Sequence, residues 1–140
     1  MNIKEKLEKN ICSEQIKQLY ATEEQNKYIN RFLHLIETYC NVFHDDVEGV
    51  RLFSAPGRTE VGGNHTDHQK GHVLAAGVNL DIIAAVKAND SDIIQVQSDG
   101  YKMITVDLKQ LEPNKSEEGT TLSLIRGIAA YFIKMGYPVK

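Results

Sequence analysis

No stretch of this 140-residue chain comes near the ~18 consecutive apolar residues that a membrane-spanning helix requires. The opening MNIKEKLEKN alternates in charge and holds no apolar run, so it is not a secretory signal. Nor is there a block of lysine and arginine. Sixteen basic residues against nineteen acidic ones leave a net charge of −3, which argues against a protein that tracks nucleic-acid phosphates. Cysteine is scarce: Cys12 and Cys40 lie far apart in helical-looking sequence with no CxxC partner. They read as buried, reduced thiols of a cytoplasmic protein. Without a secretory signal, the Asn-x-Ser/Thr triplets at Asn64, Asn89 and Asn114 are chance matches.

What remains is a soluble globular composition, 41% hydrophobic and 25% charged, long enough for one ordinary domain or a piece of a larger one. Residues 1–40 read as helices. Thr22 to Gln25 spells a capping box. Behind it Tyr28, Phe32, Ile36 and Tyr39 recur at helical spacing, widened by Ile29, Leu33 and Cys40. Ser13 starts a shorter helix carrying Ile16, Leu19 and Tyr20. After the acidic turn HDDVEG, the sequence VRLFSA predicts a short strand ended by Pro56-Gly57. Residues 72–88 are too long for one simple strand, and Gly77 with Asn79-Leu80-Asp81 predicts a bend or bulge inside them. DIIQVQS and YKMITVDL around Asp99-Gly100 give a hairpin signal. A final helix is capped by Thr120 or Thr121, shows Leu122, Ile125, Ala129, Phe132 and Ile133 on one face, and stops at Gly136 and Pro138. Strand runs without βαβ alternation predict an α+β class: N-terminal helices, then a mixed or antiparallel sheet packed with a helix.

One stretch is neither helix nor core strand. APGRTEVGGNHTDHQKG, residues 55–71, holds four glycines with Arg58, Asn64, His65 and Asp67. Glycine permits positive φ and close approach of backbone to a ligand. Arg58 offers a planar cationic fork suited to phosphate or carboxylate. Asn64, His65 and Asp67 mix donors and acceptors within four residues, as a polyhydroxylated ligand needs. The bland readings are turn glycines and a surface ion pair at Arg58. His65, Asp67, His68 and His72 also resemble a metal set, but no HExxH helix or CxxC pair supports them, and no metal ligands are assigned. The stretch is not a Walker A loop, since no Gly-Lys-Ser/Thr follows its glycines.

Read with its flank, APGRTEVGGNHTDHQKGHVLAA resembles the first signature of galactokinases, in the GHMP small-molecule kinase family. The likeness rests on Pro56, Gly57, Arg58, Gly63, His65, Thr66, Asp67, Gly71, Val73 and Leu74. It implies that the chain is the first part of a GHMP kinase N-terminal domain of the ribosomal protein S5 domain 2-like fold, with a helical region at 1–45 and strands, motif and last helix at 46–140. It also implies that His65 and Asp67, with Asn64 where the family has glutamate, hold sugar hydroxyls. Arg58 is then implied either to stabilise charge on the phosphoryl group transferred from Mg-ATP to the anomeric hydroxyl of galactose or a related sugar, or to hold a catalytic carboxylate ionised. His68 and Ala75 replace the family's Tyr and Pro.

The family's second motif, a Gly/Ser-rich loop opening a helix and followed by a catalytic aspartate, has no counterpart here. PNKSEEGTT is the nearest cluster and reads as a loop feeding the last helix. ATP and Mg2+ are therefore implied only for a parent enzyme, with their sites mostly beyond Lys140. Residues 1–140 alone are expected to be inactive and to self-associate through uncovered sheet edges. The rival readings are a non-catalytic sugar-sensing module of the same fold and a metal-dependent hydrolase.

Overall fold

The computed structural model of the protein describes residues 1–20, 24–63 and 66–139, and the backbone but not the side chain of Asp67. These form two compact units, residues 1–87 and 88–140. The expected capping box falls on Thr22 and Glu23, outside the described residues.

In the first unit three helices lead into a β-ribbon: α1 (Ile3–Glu8), α2 (Ser13–Tyr20) and α3 (Gln25–Phe43), then β1 (Arg51–Gly62) and β2 (Leu74–Val86). Asn2 caps α1 by accepting the Glu5 amide at 3.0 Å. On α3, Ile29, Phe32 and Ile36 fall on one stripe at i, i+3 and i+7 and are buried with Leu7, Ile16 and Tyr20. Leu19, expected on the inner face of α2, is instead 58% exposed, because Ile16 and Tyr20 already fill that face. Cys12 and Cys40 are free thiols at the margin of this core, half-buried rather than buried. His44 in left-handed conformation ends α3, and Lys87 binds Asp45 and Asp46 at 2.8 and 3.1 Å, tying the acidic turn to the end of β2.

β1 and β2 pair antiparallel, from Arg51 opposite Val86 to Gly62 opposite Leu74. Here the expected end of β1 is corrected: the strand runs through Pro56-Gly57 to Gly62. Proline is tolerated at that point because the ladder is interrupted there. Pro56 pairs with Asp81 and Arg58 with Gly77, so Gly57 alone opposes Val78, Asn79 and Leu80. The irregularity expected at 77–81 is therefore a bulge within one continuous strand. A Cβ at Gly57 would stand 3.0 Å from Val78 Cγ2 and 3.2 Å from the Leu80 carbonyl, so the bulge packs directly over a glycine. One face of the ribbon meets the helices through Leu52 and Ile83, while Phe53 and Ile82 on the other are 53% and 79% exposed.

The second unit has the expected hairpin, β3 (Ile93–Val96) antiparallel to β4 (Ile104–Asp107), with Gly100 at φ +76° in the turn. The last helix, α4 (Thr121–Lys134), is capped by Thr120, whose hydroxyl accepts the Ser123 amide at 3.3 Å. Val106 and Ala129 are buried in this unit, while Phe132 and Ile133 stay 45% and 44% exposed. The described strands thus make two antiparallel pairs, and the chain is α+β.

Candidate functional site

The loop joining β1 to β2 is closed around one threonine. Thr66 donates its hydroxyl to the Gly63 carbonyl at 2.8 Å, and its own carbonyl accepts the amides of Gln69 (3.0 Å) and Gly71 (2.8 Å). A single 3-10 turn, Asp67–Gln69, follows, and Lys70 takes φ +63°. Two glycines are required by this closure. At Gly63, φ is +117° and a Cβ would stand 2.6 Å from Val73 Cα and 2.7 Å from the His72 carbonyl. At Gly71 a Cβ would overlap Thr66 Oγ1 and Cβ. Gly62, by contrast, has open space where a Cβ would point.

Arg58 lies on β1 between the bulge and this loop, opposite Gly77, and is exposed. Among the described residues no hydrogen bond or ion pair engages its guanidinium. Asn64 and His65, between Gly63 and Thr66 in sequence, lie outside the described residues, as does the side chain of Asp67. Of the predicted set, the structure thus brings Arg58 and the Asp67 backbone to the same end of the ribbon.

Sequence reading missed a polar cluster on the other side of the bulge. Asp81 is nearly buried, its side chain 8% exposed. Its carboxylate accepts the Tyr20 hydroxyl at 2.5 Å, the Ser54 hydroxyl at 2.6 Å and a short hydrogen bond from Arg31 Nη1. Arg31 Nη2 also donates to the Asp81 carbonyl at 2.9 Å. Burial opposes ionisation of Asp81, but the bonds from Ser54, Tyr20 and Arg31 outweigh it and hold the carboxyl below the usual aspartate range. Burial and the bond to Asp81 push the Tyr20 phenol upward, keeping it a donor. Tyr20 stacks on Tyr28 with ring centroids 3.7 Å apart. Only the Asn-Leu-Asp turn signal marked this place, because the partners come from residues 50 and 61 positions away. The adjacent cleft between Lys27, Tyr28, Arg31 and Asn79 measures about 220 Å³, below the ~300 Å³ at which ligand pockets begin.

In the second unit, Arg126 binds Glu117 through Nε (2.8 Å) and Nη2 (2.9 Å) and also donates to the Gln110 carbonyl. Asn114 accepts the Ser116 amide and donates to Glu117. The loop before α4 therefore spends its polar groups on itself. The Thr120 and Ser123 amides at the start of α4 are taken by the Glu117 carbonyl and the Thr120 hydroxyl, so this loop is poorly suited to cradle a nucleotide's phosphates.

Comparison with known proteins falls on the ribbon and its loop. The galactokinase galactose-binding signature matches residues 37–88, a span covering the last two turns of α3, then β1, the Thr66-centred loop and β2. The chain is thus an α+β protein bearing a galactose-binding signature. It is 28% identical to galactokinase of Bacillus subtilis over 102 residues, 72% of this chain and 26% of that protein. It is 27% identical to galactokinase of Enterococcus faecalis over 108 residues, 75% and 27% of the two chains. For galactokinase of Limosilactobacillus reuteri the identity is 24% over 107 residues, 72% and 27%. Over about three quarters of its length the chain is thus similar to galactokinases. The chain spans about a quarter of the length of these curated relatives. No solved structure matches it. Among the described residues no helix is long and apolar enough to cross a membrane.

Proposed function

We propose that this chain is the sugar-reading part of a cytoplasmic galactokinase-like enzyme. The parent transfers the γ-phosphoryl group of Mg-ATP to the anomeric hydroxyl of galactose or a related sugar. The observation that carries this reading is the coincidence of the galactose-binding signature with an exposed loop whose backbone is closed by Thr66 and two obligatory glycines. His65 and Asp67 hold sugar hydroxyls, an ionised aspartate accepting from two at once. Asn64 keeps a hydrogen-bonding group but no charge where the family has glutamate. Arg58, exposed and without a partner among the described residues, supplies a cation beside the reacting hydroxyl, where phosphoryl transfer depends on positioning and electrostatics. In the parent, residues 1–140 are part of the first domain, of the ribosomal protein S5 domain 2-like fold.

The described loop before α4 is poorly suited to a nucleotide's phosphates, so residues 1–140 alone are expected not to turn over, and the exposed ribbon edges favour self-association. The test is galactose-dependent ADP release by the full-length protein and by residues 1–140. Release is expected from the first and not the second. In the full-length protein, Arg58→Ala lowers kcat by about 100- to 1,000-fold, the size seen when one preorganised charge-stabilising group is removed. Galactose binding by the full-length protein without ADP release would establish a sugar-sensing module instead.

A further inference from the structure

We propose that Asp81 is the positioning residue for Arg58. It fastens β2 to β1, α2 and α3 at the last regular pair before the bulge, and so sets the face on which Arg58 is presented. The proposal rests on the reading of Arg58 given above.

The bulge itself specifies little. One residue of β1, Gly57, faces three of β2, and the pairing resumes only at Arg58 and Gly77. Beyond that point every residue of the ribbon except Glu60 is exposed, so no buried side chains fix the register there. Strand register is weakly specified where neither face is buried, and a slip of one residue turns every side chain to the opposite face. Asp81 is opposite Pro56, one residue before the bulge. Its three carboxylate partners come from three different elements: Tyr20 at the end of α2, Arg31 within α3 and Ser54 on β1. Arg31 also holds the Asp81 carbonyl, so backbone and side chain are both fixed. The Ser54 bond spans the two strands directly. A carboxylate largely removed from water and held by three donors is restrained to one arrangement, and the backbone two residues before Arg58 inherits it.

A residue that only supports the core would, when changed, reduce the amount of folded protein. Its effect would multiply with that of any catalytic substitution. A positioning residue acts through Arg58, so its effect disappears once Arg58 is gone. In the full-length protein, Asp81→Asn is expected to lower kcat about tenfold or more with the KM for galactose within about twofold. Arg58→Ala/Asp81→Asn is then no slower than Arg58→Ala by more than about twofold. Multiplying losses would overturn the proposal. Ser54→Ala, which removes only the strand-to-strand bond, is expected to give about a threefold loss with the same non-additivity. It carries the test if Asp81→Asn does not fold.

Amide hydrogen exchange supplies a readout independent of turnover. Residues 58–60 exchange faster in Asp81→Asn or Ser54→Ala, while the α3 amides around Ile36 keep their protection. Unchanged exchange at 58–60 overturns the positioning role. Wild-type protein that leaves galactose unphosphorylated, or Arg58→Ala that retains full kcat, would defeat the functional reading. Exchange at 58–60 would still decide whether Asp81 sets the ribbon.

Discussion

The two halves of the β-ribbon, divided by the bulge at Gly57, are built on opposite terms. From Arg51 to Pro56, with Asp81 to Val86 opposite, the ribbon packs Leu52 and Ile83 on the helices and seals Asp81 under Tyr20, Arg31 and Ser54. From Arg58 to Gly62, with Leu74 to Gly77 opposite, almost nothing is covered and the shape comes from backbone bonds and glycines. Two arginines mark the contrast: Arg31 is committed to a carboxylate, whereas Arg58 has no partner among the described residues. The first half carries stability, and the second is free to carry chemistry. Functional sites are commonly drawn from such sparsely packed regions held by a rigid neighbour.

The sharpest way to break that division is to empty the covered half. Phe32 is 3% exposed, and Phe32→Ala is expected to destabilise the first unit by about 3–5 kcal/mol in a denaturant melt. Loss of galactose binding should follow only as the folded fraction falls. Gly71→Ala attacks the open half. Its new methyl group collides with Thr66, so galactose affinity measured by calorimetry should drop at least about tenfold. The melt should move much less, because little of the loop is buried. Equal damage to melt and binding by both variants would erase the distinction.

Acid sharpens it further. The folded Asp81 carboxyl titrates below its unfolded value, so its contribution is fully present above about pH 4 and is lost as pH falls through the depressed folded value. Asp81→Asn should flatten that acid limb of a stability-against-pH curve. The smallest effect belongs to Lys87→Ala. Its exposed pairs with Asp45 and Asp46 are screened, so any melt difference should vanish in about 0.5 M salt.

The helices and strands were legible wherever a local period existed. The stripe of Ile29, Phe32 and Ile36 and the Asp99-Gly100 hairpin are read from neighbouring residues alone. The end of β1 was not legible, because Pro56-Gly57 spells a turn locally and is carried through as strand only by a bulge on its partner. The polar loop was recognisable from residue types, but the part played by Thr66 was not. Its bonds reach back to Gly63 and forward to Gly71, and only the closed loop shows that those two glycines differ from Gly62. Asp81 was the least legible, since Tyr20 and Arg31 reach it across the fold.

The closure on Thr66 also has a meaning for how such a protein could be remade. Because its contour is written in main-chain bonds and two missing side chains, a saturation library across 63–73 should return a sharply uneven map. Gly63 and Gly71 would stand as fixed posts, while exposed positions such as His68 and Gln69 accept nearly the whole amino-acid alphabet. A loop of that kind separates form from vocabulary, and under the proposed function a new sugar preference can be sought without redrawing its outline.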